Sequence, residues 1–243
     1  AFCLPLRRLA QTLGLCMTYI HAIDLDNFYP CWNLKIDGKL RTPNYLAAID
    51  PGLAKNHRNI DSYTIDELRE YGPQDCGLTP RTIHSILKAA ILRKGHKIVD
   101  GYDREILVSE ESRNSIIEQA DIELNFERVR RKYPNQQVSR LSCIWLAEHS
   151  EAGREHIKNM LGKDIYILSV RISNQLSLSK VDTAWFDAYC ESHNSDFIDG
   201  YWSGASFSEH PKWEYLLDGE IEIENPDQLA YIKSNGASLL GQS

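Results

Sequence analysis

Three segments of the sequence, taken in order, contain residue types that could act on a nucleotide. The first contains His21, the second contains Arg140 and Ser142, and the third contains Glu214. A histidine ring nitrogen can donate a hydrogen bond to a sugar hydroxyl. The planar guanidinium of an arginine can bind a pyrophosphate through parallel hydrogen bonds. These residue types are therefore compatible with nucleotide binding, and the other motifs of the sequence must be compared with that hypothesis.

The motifs that usually accompany nucleotide or hydrolase chemistry are absent from the sequence. No GxGxxG follows a strand and no GxxxxGK[ST] occurs, which excludes a Rossmann fingerprint and a P-loop. GxSxG, HExxH and the protein-kinase signatures are missing as well. The six cysteines form no CxxC pair and no Cys/His group with zinc spacing, so we expect no metal. A nucleotide would have to bind in some other way.

The order of the three segments resembles the ADP-ribosyltransferase superfamily. WEYLLDGEIEI (213–223) looks like the Glu-Tyr-aliphatic-aliphatic strand that carries the catalytic glutamate in poly(ADP-ribose) polymerases and their bacterial relatives. SRLSCIWLAEHSEAGREHIKNMLGKDIYILSVRI (139–172) is similar to the strand, helix and Tyr-containing strand of the nicotinamide pocket. TYIHAI (18–23) matches the first strand at His21, although the Ser-Thr-Ser and His-Gly-Thr signatures are missing. Residues 24–134 are hardly covered, and we interpret them as a family-specific helical and loop elaboration or a target-binding part.

The resemblance implies an α+β fold with a split β-sheet core surrounded by helices, and a reaction in which ADP-ribose moves from NAD to a macromolecular acceptor as nicotinamide leaves. Glu214 would be the catalytic carboxylate, stabilising the positive charge that develops on the ribose. NAD would be the substrate and no metal would take part. The residues implied to bind NAD are His21 at the adenosine ribose, Arg140 at the pyrophosphate, Ser142 in the nicotinamide pocket, and Tyr201 and Trp202 for ring stacking.

Two other functions stay open on the sequence. A non-catalytic binding protein could keep the same fold, with Glu214 as a structural surface residue and no NAD bound. A dedicated NAD glycohydrolase would release free ADP-ribose instead of modifying an acceptor. Within the transferase hypothesis the acceptor is expected to be a macromolecule, either a protein or a nucleic acid, although a small molecule also stays open, and the chain resembles a bacterial or phage effector or toxin.

Composition limits where such a protein would act. The formal net charge is -7 and the sequence pI is about 5.6, so no general positive field would draw the chain onto nucleic acid or anionic lipid. No apolar run reaches the roughly 20 residues of a membrane-spanning helix. Scattered cysteines are typical of a reducing compartment, which favours the cytoplasm of a bacterium or of its host. We expect residues 1–16 to be a leader or added segment, and residues 17–243 to be a single domain.

Periodicity and capping signals predict the elements that would position these residues. A capping box, Thr64 with Glu67, starts a helix that stops at Gly72, and Thr79-Pro80 starts a second helix that ends at Gly95. The segment 24–61 is predicted to be rich in loops, and YWSG (201–204) to be a loop ahead of the Glu214 strand. Further helices are predicted at 109–133, 150–162 and 183–192, strands at 18–23, 141–147 and 164–172, and Asp-Gly hairpins at 33–40 and 213–224.

Overall fold

The computed structural model describes residues 18–55, 57–74, 81–99, 105–133, 137–162 and 165–238. Helices and strands are mixed along the chain, as expected for the α+β class. Contacts group the chain into two compact units. In the described residues, unit 1 comprises 18–39, 148–172 and 221–238, and unit 2 comprises the rest between 40 and 220. The predicted leader, the Thr79-Pro80 helix start and the Pro134 helix end lie outside the described residues.

The elements are numbered in chain order. The helices are α1 (Phe28–Asp37), α2 (Pro43–Ile49), α3 (Pro51–Ala54), α4 (Ile65–Tyr71), α5 (Arg81–Arg93), α6 (Glu110–Arg130), α7 (Glu151–Leu161), α8 (Ala184–Ser192), α9 (Asp196–Ser203) and α10 (Pro226–Asn235), with a 3₁₀ helix at Ile60–Ser62. The strands are β1 (Tyr19–Ile23), β2 (Lys39–Arg41), β3 (Ile98–Val99), β4 (Glu105–Ile106), β5 (Ile144–Glu148), β6 (Tyr166–Asp182) and β7 (Trp213–Ile223). Within the described residues, every helix is too short or too polar to span a lipid bilayer.

Unit 1 is built on the antiparallel pair of β1 with the first part of β6. Tyr19 lies opposite Val170 and Ile23 lies opposite Tyr166. Both strands are rich in β-branched and aromatic residues, and part of their side chains is buried. The predicted strands are therefore confirmed, although β6 continues to Asp182, well past the predicted end at 172. Helix α7 begins at the N-cap Ser150 and ends at Gly162, as predicted.

Unit 2 contains the strand order β2-β7-β5, in which β5 and β7 are antiparallel. Ile144 lies opposite Leu217, and Ala147 lies opposite Glu214. The predicted Asp-Gly hairpin at 213–224 is wrong, because β7 runs without a turn from Trp213 to Ile223. A side chain at Gly219 would bring a Cβ to 2.2 Å from the carbonyl oxygen of Asn174, so glycine serves a close approach of two backbones rather than a turn.

Two helices of unit 2, α4 and α6, begin where the sequence signals indicate. The Thr64 hydroxyl accepts from the Glu67 amide and the Glu67 carboxylate accepts from the Thr64 amide, which confirms the predicted capping box of α4. The helix predicted from residue 109 is present as α6, and Ser109 is its N-cap. A core cluster joins α4, α5 and α6, and it consists of Ile60, Tyr63, Leu68, Ile86, Ala89, Ala120, Leu124 and Leu141.

A second core cluster of unit 2 surrounds α9. It contains Phe126, Val138, Cys143, Val181, Tyr189, Ile198, Tyr201, Trp202 and Leu216. The YWSG segment therefore belongs to a buried helix, and the prediction of a loop there is wrong. Its Gly204 has φ 73° and ends the helix in the left-handed conformation, so the glycine that suggested a loop is a helix terminator.

The segment 24–61 is mostly helical, so the predicted loop-rich region is also wrong. Helices α1, α2 and α3 and the 3₁₀ helix occupy much of it. The Asp37-Gly38 pair ends α1 instead of turning a hairpin: Gly38 has φ 73° and its amide donates to the Leu34 carbonyl. Thr42 and Asp50 are the N-caps of α2 and α3.

Candidate functional site

Most of the predicted site residues lie in unit 2. His21 belongs to unit 1, where it is half-buried on β1 opposite Leu168, and its role at the adenosine ribose stays a prediction. The residues found in unit 2 are Arg140, Ser142, Tyr201, Trp202 and Glu214. Three of these interact directly: Arg140 with Tyr201 by a hydrogen bond, and both with Glu214 electrostatically.

Glu214 is a buried carboxylate near the start of β7, with only 2% of the residue exposed. The strand alternation puts it on the same face of the β5–β7 pair as Ala147, Trp145 and Leu216. A carboxylate at this depth needs a compensating charge or hydrogen bonds. The positive charge of Arg140 supplies part of that compensation.

Arg140 lies in the turn that leads into β5, and its guanidinium is held by two partners. Nε and Nη2 donate to the two oxygens of Glu123, both at 2.8 Å. Nη1 donates to the hydroxyl of Tyr201 at 2.5 Å. This forked geometry uses the planar arrangement of arginine donors. The guanidinium predicted to bind pyrophosphate is therefore committed to groups of its own unit.

Aromatic rings enclose the Arg140 guanidinium. Its central carbon lies 4.2 Å from the centre of the Trp145 ring and 4.3 Å from that of Phe186. The rings of Tyr201 and Phe126 are slightly further away, at 5.2 and 5.5 Å. Because ring faces are electron-rich, they stabilise a cation that has lost its water. These four aromatic residues, which also belong to or pack against the second core cluster, surround the buried charge.

The ionisable groups of the cluster shift one another's pKa values. Burial lowers the pKa of Arg140, but the carboxylates of Glu123 and Glu214 and the hydroxyl of Tyr201 outweigh that cost and raise it. Burial, together with the nearby Glu214, raises the pKa of the Tyr201 phenol well above its usual value despite the opposing charge of Arg140. Burial likewise raises the pKa of the Cys143 thiol. At neutral pH the guanidinium is charged, whereas the phenol and the thiol keep their protons.

Ser142 and Trp202 each donate a hydrogen bond to a backbone carbonyl next to this cluster. The Ser142 amide donates to the Ser139 carbonyl at 3.3 Å and so helps to close the turn that carries Arg140. The Trp202 indole donates to the carbonyl of Phe126 at 2.9 Å, and both Trp202 and Tyr201 have 0% exposure. Their rings therefore pack within the core of unit 2.

Two residues that the sequence did not single out organise the surroundings of Glu214. Glu123 anchors Arg140, but it is one of many acidic residues on α6 and nothing in its spacing marks it. Asp182, with 0% exposure, accepts hydrogen bonds from the amides of Ala184, Phe207 and Lys212. It thereby fixes the segment 204–212 that leads into β7. Asp182 lies directly before Thr183 and α8, a position typical of a helix cap, and this is the sequence signal by which it could have been found.

A second polar chain extends from Asp218 of β7. Its carboxylate accepts from the Thr42 hydroxyl at 2.5 Å and from the Asn44 amide at 2.9 Å, and Asn44 in turn lies 3.0 Å from Nε2 of His57. Because an ionised Asp218 can only accept, Asn44 must turn its amide nitrogen toward it and its oxygen toward His57. Nε2 therefore carries the ring hydrogen. Burial lowers the pKa of His57, and the charge of Asp218 only partly offsets this.

No group of three or more His, Cys, Asp or Glu side chains suited to a metal ion occurs among the residues that the structure describes. One protein family matches the chain. Its family model has the description "Protein of unknown function (DUF2441)" and matches residues 81–229, which is more than half of the sequence and includes α5 to β7. No curated protein matches the chain.

Proposed function

We propose that this chain, which belongs to the DUF2441 family of proteins of unknown function, transfers ADP-ribose from NAD to a macromolecular acceptor and releases nicotinamide. The proposal includes a split β-sheet core of the ADP-ribosyltransferase type. The observation that supports it is Glu214: a carboxylate near the start of a strand, buried to 2% exposure and electrostatically coupled to Arg140 and Tyr201. Such a carboxylate is held in place before any substrate arrives.

The proposed reaction breaks the bond between the nicotinamide nitrogen and the anomeric carbon of the ribose. Both bonding electrons leave with nicotinamide, and positive charge develops on the ribose. Glu214 would accept a hydrogen bond from the ribose 2-hydroxyl, which strengthens as that charge grows. A nucleophile of the acceptor then bonds to the anomeric carbon and loses its proton to solvent. The products are the ADP-ribosylated acceptor, nicotinamide and one proton.

Arg140 and Tyr201 act in this proposal as positioning residues rather than as ligands of NAD. The guanidinium already donates to Glu123 and Tyr201, so binding a pyrophosphate would mean breaking a buried ion pair. Its charge instead keeps a carboxylate at position 214 compatible with burial. Trp202 packs behind Tyr201, with ring centres 4.9 Å apart and planes at 88°. Ser142 is retained as the proposed residue of the nicotinamide pocket.

The depth of Glu214 imposes a condition on the reaction. A ribose can reach its carboxylate only if the residues that cover it part when NAD binds. We therefore expect NAD to change the amide hydrogen exchange of the first residues of β7. The segment 204–212 is the adjoining stretch of the chain, and it is exposed along most of its length.

The decisive experiment measures nicotinamide release and transfer of label from NAD labelled in its ADP-ribose part, with a cell lysate as the source of acceptors. Glu214→Gln keeps the shape and removes the charge, so release should fall about 100-fold or more. Glu220→Gln is the matched control, because Glu220 is another buried glutamate of β7, bound by Arg41, Ser173 and Asn174. It should retain activity as long as it folds.

Each outcome separates the open functions. Label on a macromolecule that disappears in Glu214→Gln supports the transferase. Free ADP-ribose as the main product, without a labelled acceptor, supports the NAD glycohydrolase instead. If the folded wild-type chain neither releases nicotinamide nor binds NAD, the catalytic proposal is wrong and the binding-protein hypothesis stands. Loss of activity in Glu220→Gln but not in Glu214→Gln would overturn the choice of residue.

A further inference from the structure

A cavity that is widely open to solvent lies on the surface of unit 2, among α5, α6 and the segment before α6, and none of its lining residues belongs to the Glu214 cluster. Its volume is about 560 Å³, and it is lined by Arg93, Val108, Glu110, Arg113, Asn114 and Ile117. A second cavity of about 450 Å³ is lined by Asp66, Arg69, Glu70, Arg93 and Lys94. Arg93 borders both. Volumes of this order suit a small molecule.

Arg93 shares its acidic partner with another cation, and its other acceptors are the carbonyl oxygens of Arg69 and Ile117. Nη2 of Arg93 and Nε of Arg69 donate to the same oxygen of Asp121, at 2.7 and 3.0 Å, so two cations share one carboxylate atom. Among the described residues, no acceptor receives the buried Nε hydrogen of Arg93. Burial lowers the pKa of Arg93; Asp121 opposes this shift, and Arg69 adds to it. An additional anion near this guanidinium would be stabilising.

Arg113 brings a second guanidinium to the wall of the larger cavity. Its Nη2 donates to the Leu92 carbonyl at 2.6 Å, which ties the side chain to the end of α5. Among the lining residues of this cavity, Arg93 and Arg113 are cationic and Glu110 is anionic, so the lining has a net charge of one positive unit. The chain as a whole has a formal net charge of -7. The cavity is therefore a positive site on a negative protein.

We propose that the cavity bordered by Arg93 and Arg113 binds the phosphate group of a small phosphorylated ligand. Two guanidiniums and the Asn114 amide are suited to the oxygens of a phosphate. Val108 and Ile117 offer an apolar wall for the rest of the molecule. Glu110 in the lining and Glu111 beside it would repel an extended polyanion. These charges favour a phosphomonoester of small size over a nucleic-acid strand.

The test is isothermal titration of the full chain with inorganic phosphate, ribose 5-phosphate and ribose, at ionic strength matched with sodium chloride. Ribose 5-phosphate should bind, inorganic phosphate should bind more weakly at the same site, and ribose should not bind. Arg113→Gln should weaken binding of ribose 5-phosphate about tenfold, the value of one charge-assisted hydrogen bond. Glu110→Gln should strengthen it, because the variant removes the negative charge from the lining.

The matched control is Arg128→Gln, which removes an equal charge from the other end of α6, where Arg128 bonds to Asn125. It should leave the affinity unchanged. Equal weakening in Arg113→Gln and Arg128→Gln would mean that the ligand responds only to the net charge of the protein, and the proposed site would be refuted. Failure of ribose 5-phosphate to compete with phosphate, or tighter binding of a single-stranded oligonucleotide, would also overturn the proposal. None of these results depends on NAD chemistry.

Discussion

Arg140 and Glu123 form a two-pronged ion pair with both hydrogen bonds at 2.8 Å, and only 6% and 16% of their side chains are exposed. The pair links the middle of α6 to the turn before β5. Because Tyr201 and Glu214 also depend on the same guanidinium, one side chain connects a long helix, a strand pair and α9 within unit 2. Its removal would affect all of them together.

Replacing Arg140 with methionine should lower the free energy of unfolding by about 3 to 5 kcal/mol, since it leaves the buried Glu123 and Glu214 without their counter-charge. Urea unfolding followed by circular dichroism measures the change. Lys212→Gln is the control, because the Lys212–Asp187 pair is half exposed on both sides and such pairs contribute about 1 kcal/mol or less. An Arg140→Met protein as stable as Lys212→Gln would contradict this account.

Gly219→Ala should destabilise unit 2 by about 2 kcal/mol or more, because its methyl group would meet the Asn174 carbonyl oxygen at 2.2 Å and would push β7 away from β6. Thermal unfolding is the measurement. Gly95→Ala is the comparison: Gly95 has φ 74° and no heavy atom within 4 Å of its added Cβ. That variant should show only the conformational penalty of about 1 kcal/mol. Equal losses in the two variants would argue against a close backbone contact at Gly219.

The stability of the chain should depend on pH through His57. Burial lowers the pKa of His57 in the folded state, and Asp218 opposes this shift. In the unfolded chain the pKa of His57 should be about 6.5. Below that pH the unfolded chain binds a proton that the folded chain does not yet accept, so stability falls as the pH decreases. His57→Gln should remove this part of the pH dependence.

The measurement for His57 is the urea midpoint between pH 8 and pH 5. Burial and the neighbouring Lys88 also lower the pKa of His84, so His57→Gln should flatten the profile without abolishing its slope. His210→Gln, a change at an exposed ring, should reproduce the wild-type profile. An unchanged slope in His57→Gln would show that this ring is protonated alike in both states.

The sequence was most informative where a signal acts locally. The Thr64 capping box and the glycine after α7 require only neighbours three or four residues away, and the structure confirms them. Such signals do not depend on the rest of the fold. Helix starts were therefore predictable even where the partners of those helices were not.

The two Asp-Gly pairs show that a local sequence signal cannot predict structure that depends on distant contacts. Asp37-Gly38 and Asp218-Gly219 have the same letters and gave the same hairpin prediction, yet the first ends a helix and the second lies inside a strand. The difference comes from a neighbouring backbone, Asn174, that is 45 residues away in sequence from Gly219. Tyr201 and Trp202 are a similar case: polar and glycine neighbours suggested a loop, but the aromatic core of unit 2 makes them helical. The ion pair of Arg140 with Glu123 had no sequence signal for the same reason.

Exposure and freedom are different properties in the segment 204–212. Its side chains are largely exposed to solvent, but its backbone is held by hydrogen bonds. The Asp182 carboxylate accepts from the amides of Phe207 and Lys212, and the Trp185 indole donates to the Ala205 carbonyl. A protease must pull a chain into an extended strand before cutting it, so this surface loop should resist digestion as long as the Asp182 carboxylate is intact. Because one carboxylate holds both amides, we expect its loss to release the two positions together.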